Sequence, residues 1–249
     1  YAEEGVNGLG LMEIVAAVDP DEVRLQYVRD RFGVPCEMCF RDQDELLAKG
    51  KIADCIINGT MDEYHLQTTL PFLEQGYDML LEKPIVNNKT DLMRIYETAK
   101  AHGCKLMTCH VLRYAPFYRK IKELLLDGEI GEIINIRTDE RVGVFHSSVS
   151  YIRGKWKSEK ICGSSLLLAK CCHDIDLLCW LNEDSSPAQV FSYGGRNFVV
   201  PEKAPKGAGT RCLVDCPQKV RDRCIYDVQS MYLDNCLLPW YPWQCTGKN

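Results

Sequence analysis

Over residues 1–114, short apolar runs alternate with longer segments whose apolar positions recur every three to four residues. The runs at 13–18, 36–40, 54–58, 78–81 and 105–110 read as strands, and the segments 21–32, 43–49, 62–75 and 90–102 read as helices. In the first of these helices Leu25, Val28 and Phe32 keep one face. Gly33, Gly50, Gly76 and Gly103 each follow a helix directly, where the chain needs a residue that tolerates a left-handed backbone. Each helix thus has a glycine stop and a strand after it, which predicts an α/β domain built on a parallel sheet.

After Arg113 and Tyr114 the rhythm changes. A helix at 117–126, a turn at Gly128 and Gly131, and a long alternating strand at 132–142 come next. A helix at 165–181 carries His173, and a further strand is expected at 188–193. The expected division is therefore into domains 1–114 and 115–249. From Gly194 the chain is rich in Gly, Pro, Lys and Cys and keeps no steady period.

Composition narrows the class of protein. Of 249 residues 46% are hydrophobic and 26% charged, close to the globular average, so disordered and collagen-like classes are excluded. Thirty Lys and Arg stand against 35 Asp and Glu, a net charge of -5, which removes the basic excess of a dedicated nucleic-acid binder. The longest leucine-rich stretch, 166–181, is broken by Lys170, His173, Asp174 and Asp176, and no run reaches the ~20 apolar residues of a membrane span. A small-molecule partner is expected, with neither nucleic acid nor membrane. Fourteen cysteines in a chain with an ample core are not needed as disulfides, so a reducing, cytoplasmic setting is expected. The chain opens on Tyr1 inside a helix-like segment, and it is expected to be a fragment.

Several residues could carry chemistry. Asp19 ends the run 14–18, where an acidic residue of a dinucleotide-binding unit can hydrogen-bond the adenosine ribose; it could equally start the turn and helix that follow. Gly5, Gly8 and Gly10 precede a strand instead of joining a strand to a helix, so they offer no helix N-terminus to a pyrophosphate and are rejected as a phosphate loop. Glu82, Lys83 and Pro84 sit at the carboxyl end of a predicted strand, where ligands bind in open α/β sheets, although a surface lysine would read the same way. Asn58, Gly59 and Thr60, followed by His65, share that address on the preceding strand. As a helix, 165–181 puts Lys170, His173 and Asp176 on one face, with Lys170 reaching Asp174. Lys170 would lower the pKa of His173 and the carboxylates would raise it, so titration near neutrality is expected. Cys212, Cys216, Cys224 and Cys236 contain one short-spaced pair where structural zinc sites show two, so no metal site is assigned.

Taken together, Val18-Asp19, Thr60 with His65, Glu82-Lys83-Pro84, Arg113-Tyr114 with Pro116, Gly128-Glu129-Ile130-Gly131 and His173-Asp174-Ile175-Asp176 resemble the Gfo/Idh/MocA oxidoreductases, from Tyr1 to about Tyr193. The resemblance implies a Rossmann-like doubly wound parallel sheet, here without its first strand and glycine loop. A partial α/β domain with an open, largely antiparallel sheet would follow. It also implies hydride transfer between a nicotinamide and a hydroxyl-bearing carbon of a sugar or cyclitol. Lys83 and His173 would be catalytic, with His173 taking the proton. Asp19, Asn58, Thr60, His65, Glu82, Lys83 and Arg113 would bind the cofactor. NAD is expected over NADP, because the Asp19 carboxylate repels a 2′-phosphate. Tyr114, His146, Tyr151, Arg153, Lys170 and Asp176 would bind the substrate, and the full-length protein would be a homo-oligomer.

Two departures from the family pattern stand out. Many members carry an aspartate four residues before the histidine; here that position is Ala169, so Lys170 or Asp176 is expected to assist His173. The family's usual length also extends beyond both ends of this sequence. Two rival functions follow: an NAD-dependent glycosidase acting by oxidation and elimination, and a non-catalytic ligand-binding relative.

Overall fold

The computed structural model describes residues 3–234 and divides them into two compact units. The first contains residues 3–131 together with Glu159–Leu177; the second contains Glu132–Ser158 and residues 178–234. Among the described residues no helix is long and apolar enough to cross a membrane.

The first unit is α/β. Strands β1 (Ala17–Val18) and β2 (Cys39–Phe40) pair in parallel, with Ala17 opposite Cys39 and Val18 opposite Phe40. Strands β3 (Cys55–Asn58), β4 (Asp78–Leu81) and β5 (Leu106–Thr108) form a second parallel sheet in that order. Helices α1 (Glu22–Phe32), α2 (Gln43–Leu47), α3 (His65–Glu74) and α4 (Lys89–Ala101) lie between successive strands. Asp21, Asp42 and Asn88 cap α1, α2 and α4 by accepting a hydrogen bond from a first-turn backbone N–H, which satisfies donors that have no partner inside the helix. Gly33 ends α1 at φ 71°, the left-handed conformation expected after that helix.

The middle strand explains why the core sits where it does. β4 pairs on both edges, and its alternate residues Met79 and Leu81 are 2% and 0% exposed. Against them pack Phe72 and Leu73 of α3, Ile95 and Ala99 of α4, and the fully buried Tyr77. A buried tyrosine must place its hydroxyl: that of Tyr77 donates to the Gly50 carbonyl at 2.7 Å and accepts from the Ile52 N–H at 2.8 Å.

Three expectations need correcting. The strand expected at 13–18 is reduced to β1, because only Ala17 and Val18 find partners on β2. The strands expected at 132–142 and 188–193, and with them the second domain's antiparallel sheet, do not form among the described residues. Their apolar positions stand in solvent, Ile134 at 87% and Val190 at 84% exposure, since alternation without a neighbouring strand supplies no ladder hydrogen bonds. The division at 114 also differs, because Glu159–Leu177 returns to the first unit. Helix α5 (Pro116–Leu126) belongs to that unit too, and so do α7 (Glu159–Cys162) and most of α8 (Leu166–Leu181). The return is pinned by Ser164 donating to Asp62 and by Asn87 Nδ2 donating to the Gly163 carbonyl at 2.5 Å.

In the second unit a short helix, α6 (Val144–Ser147), runs on into a wide turn, Ser148–Ile152. Arg153 lies over the Tyr232 ring at 5.8 Å and donates to the Tyr226 carbonyl, and Phe145 meets Tyr232 edge-on at 5.5 Å. A buried ion pair joins Arg221 to Asp227 at 3.2 Å.

Because Leu73 is fully buried at the centre of the first unit's core, Leu73→Ala should destabilise the protein by about 2–5 kcal/mol. Chemical denaturation followed by circular dichroism would show the midpoint falling with little change in slope.

Candidate active site

The carboxyl ends of β3, β4 and β5 lie side by side, and the chain leaving each strand there is polar. Beyond β3, the Asn58 side chain is 4% exposed and fully engaged. It donates to Thr68 and Thr69 at 2.9 and 3.1 Å and accepts from the Thr60 N–H and hydroxyl at 3.2 and 2.8 Å. His65 is fully buried, with Nδ1 2.8 Å from the Pro84 carbonyl and Nε2 3.0 Å from that of Thr60. Burial and internal hydrogen bonds make the Asn58 and His65 side chains braces for the loops after β3 and β4, so any contact they make with a cofactor would not be through exposed side-chain groups. Thr60 stays exposed at the strand end. On the other side the Glu82 N–H donates to the Asn58 carbonyl at 2.9 Å, extending the ladder by one residue.

Lys83 leaves β4 and turns toward α8, where its ammonium donates to the Ala169 carbonyl at 3.0 Å. Ala169 is 1% exposed, so the position that carries a carboxylate in many relatives presents only backbone here. His173 stands one helical turn further on. Burial, then the charges of Lys83, His110 and Lys170, push its pKa below the ordinary 6.5, against an opposing pull from Asp176. The expected balance near neutrality is thus tipped toward the uncharged ring. His173 Nδ1 is buried with no hydrogen-bond partner among the described residues, and so is Asp174 Oδ2.

Asp176 is engaged mainly inside the protein. Its side chain is 8% exposed, Oδ2 accepts from Arg113 Nε at 2.7 Å, and Oδ1 accepts from Arg113 Nη2 at 2.6 Å and lies 2.7 Å from His110 Nδ1. Each oxygen thus already has a donor from the protein itself. Arg113, assigned to the cofactor, spends its fork on the same carboxylate. His110 was missed. It closes the predicted strand 105–110, at the same sheet edge that singled out Asn58 and Lys83, and that position was the available signal.

Asp19 ends β1; Oδ1 accepts from the Asp21 N–H at 2.9 Å and Oδ2 from Arg24 at 3.2 Å, with the side chain 27% exposed. Tyr114 is 58% exposed on the turn after β5. Lys170 lies on α8. His146, Tyr151 and Arg153 belong to the second unit, where the Arg153 guanidinium is engaged with Tyr226 and Tyr232. Gly5 and Gly8 lie in a π-helical turn before β1, and a Cβ on Gly5 would come within 2.0 Å of Met12 Sδ; no phosphate loop is built there. Among the described residues no group of three or more His, Cys, Asp and Glu is placed to hold a metal ion, and Cys236 lies outside them.

Residues 2–110 match the family described as oxidoreductase family, NAD-binding Rossmann fold, and residues 118–215 match the GFO/IDH/MocA C-terminal domain. The oxidoreductase YteT of Bacillus subtilis is 30% identical over 224 residues, 86% of this chain and 50% of that protein. A D-xylose 1-dehydrogenase (NADP(+)) of Hypocrea jecorina is 35% identical over 95 residues, 38% of this chain and 24% of that one. Among solved structures, scyllo-inositol dehydrogenase from Lactobacillus casei with bound NAD(H) and scyllo-inositol superposes with a TM-score of 0.56 at 22% identity, covering 68% of this chain and 48% of that one. The chain spans half or less of the length of these relatives. With both halves matched to one family and the parallel sheet in place, the chain belongs to the GFO/IDH/MocA oxidoreductases and carries their NAD-binding type of Rossmann fold.

Proposed function

We propose that this chain carries the site of a nicotinamide-dependent oxidoreductase acting at a hydroxyl-bearing carbon of a sugar or cyclitol. The observation that carries the reading is the placement of the Lys83 ammonium at the end of β4, tied to α8 one turn before an uncharged, half-buried His173. Residues at these strand ends fit the nicotinamide end of a dinucleotide: an exposed hydroxyl at Thr60, a cation at Lys83 and an orphaned ring nitrogen at His173. Asp19 fits the adenosine ribose at the other end. The group would supply hydride transfer when bound.

The protein's own part is proton handling and charge. Lys83 donates hydrogen bonds that stabilise the oxygen of a hydroxyl as its proton leaves. His173, kept uncharged by burial and neighbouring cations, accepts that proton. The Asp19 carboxylate favours NAD over NADP by repelling a 2′-phosphate, although Arg24 beside it offsets part of that charge. The substrate names of the relatives support sugars and cyclitols as the class to test. None of the twelve described cysteines is joined in a disulfide, in keeping with a reducing compartment such as the cytoplasm. Homo-oligomerisation of the full-length protein belongs to the same reading.

Calorimetric titration should show NADH binding more tightly than NADPH, and Asp19→Ala should narrow the gap by about tenfold, roughly 1.4 kcal/mol. Failure of NADH to bind both this chain and the full-length protein overturns the oxidoreductase reading. In NAD+-dependent oxidation of a panel of aldoses and inositols, Lys83→Ala should lower turnover by about 100-fold or more, with NADH affinity changed far less.

The depressed pKa of His173 also predicts a pH dependence of stability. Below pH 6.5 the unfolded chain takes up a proton that the folded state refuses, so this contribution is complete above 6.5 and shrinks as pH falls toward the folded value. Denaturant midpoints at about pH 7.5 and about pH 5 should therefore differ more in the unsubstituted protein than in His173→Asn.

A further inference from the structure

Two imidazoles meet at this site, and the structure treats them differently. The rings of His110 and His173 lie edge to face, with centroids 6.2 Å apart. His173 has no carboxylate to orient it, and its Nδ1 is buried without a partner. His110 has such an orienter: Asp176 Oδ1 is 2.7 Å from its Nδ1. Asp176 is in turn fixed by two hydrogen bonds from Arg113, a geometry that matches an ionised carboxylate.

A carboxylate can only accept, so His110 Nδ1 must carry a proton to make this contact, and Nε2 is left as the nitrogen that gains or loses one. A carboxylate that selects the tautomer of a histidine and steadies its charged form is the general device for orienting a base. With its side chain 23% exposed, His110 keeps access to a ligand. The charged and titratable groups facing the pair are Asp176 and Arg113 on His110, and Lys83, Lys170 and Asp176 on His173.

We propose that His110, held in one tautomer by Asp176, is a second proton acceptor of this site. The inference rests on the oxidoreductase reading above. As a substrate alcohol is oxidised, its O–H bond breaks and its one proton passes to Nε2 of His110 as the alternative to His173. A bound nicotinamide would be the oxidant, supplying the acceptor for the electron pair of the carbinol C–H bond as hydride and leaving the carbonyl double bond. His110 touches the reacting hydroxyl in this scheme; Asp176 acts through it as a positioning residue.

The test reads the nitrogens directly. In protein labelled with 15N-histidine, two-bond proton–nitrogen spectra report the tautomer of each ring, and loss of signals in His110→Gln assigns that residue. The neutral His110 ring should hold its proton on Nδ1 by roughly tenfold or more, the scale of one charge-assisted hydrogen bond. Asp176→Asn should erode that preference and Asp176→Glu should restore it. A proton found on Nε2 in the neutral ring of the unsubstituted protein overturns the proposal, and that spectrum needs no variant beyond the assignment. Addition of NADH should shift both His110 and His173 resonances; binding that moves His173 and leaves His110 unchanged also overturns it. If NADH binds neither this chain nor the full-length protein, the oxidoreductase reading falls, and with it His110 as its proton acceptor, while the tautomer still reports whether Asp176 orients the ring.

Discussion

The carboxylate of Asp176 is the point on which the site depends. It is buried on α8, and a buried charge is tolerated only when its oxygens are satisfied. The donors that satisfy it, Arg113 and His110, both come from the segment that follows β5. Satisfying one charge therefore brings α8 to the open end of the sheet, and Lys83 adds a second tether from β4 to the Ala169 carbonyl two turns earlier on the same helix. These two tethers lie about two helical turns apart, which constrains the rotation of α8 about its axis as well as its position. His173 falls between them and inherits its placement from both.

That arrangement changes how charge is managed compared with the family pattern. A carboxylate at position 169 would pair with Lys83 and raise the proton affinity of a neighbouring histidine. With alanine there, Lys83 finds only a backbone carbonyl, and its full positive charge reaches His173. The negative charge sits instead at Asp176, on the far side of His173, where it is shared with Arg113. Cationic influence on His173 then outweighs anionic influence, and burial acts in the same direction, so the ring stays uncharged. An uncharged imidazole is the form that accepts a proton, whereas one that is charged at rest can only give one up.

The first unit was legible in the sequence because its signals are local. Glycine stops and apolar runs placed β4 at its observed bounds, and the other helices and inner strands within a few residues of theirs. The shortfalls have a common cause. Residues 13–16 and the segments 132–142 and 188–193 have a strand's alternation, but a strand is made by its neighbour, and alternation does not show whether a neighbour is present. The return of Glu159–Leu177 to the first unit was hidden for a similar reason. It depends on contacts such as Ser164 with Asp62, between residues far apart in the chain.

For the site, position was readable and partnership was not. Sheet-edge logic found Lys83 and Thr60 and would have found His110 had it been applied to the fifth strand. The helix period put Lys170, His173 and Asp176 on one face but could not say which of them spoke to which. Asn58, His65 and Asp176 all carry groups suited to binding, and each is spent inside the protein, two as braces for loops and one as the anchor of α8. Polar residues at a ligand site must be held as well as present. The side chains that do the holding are drawn from the same residue types as those suited to a ligand, and burial is what distinguishes them: Asn58 is 4% and His65 0% exposed, while the His110 side chain is 23% exposed.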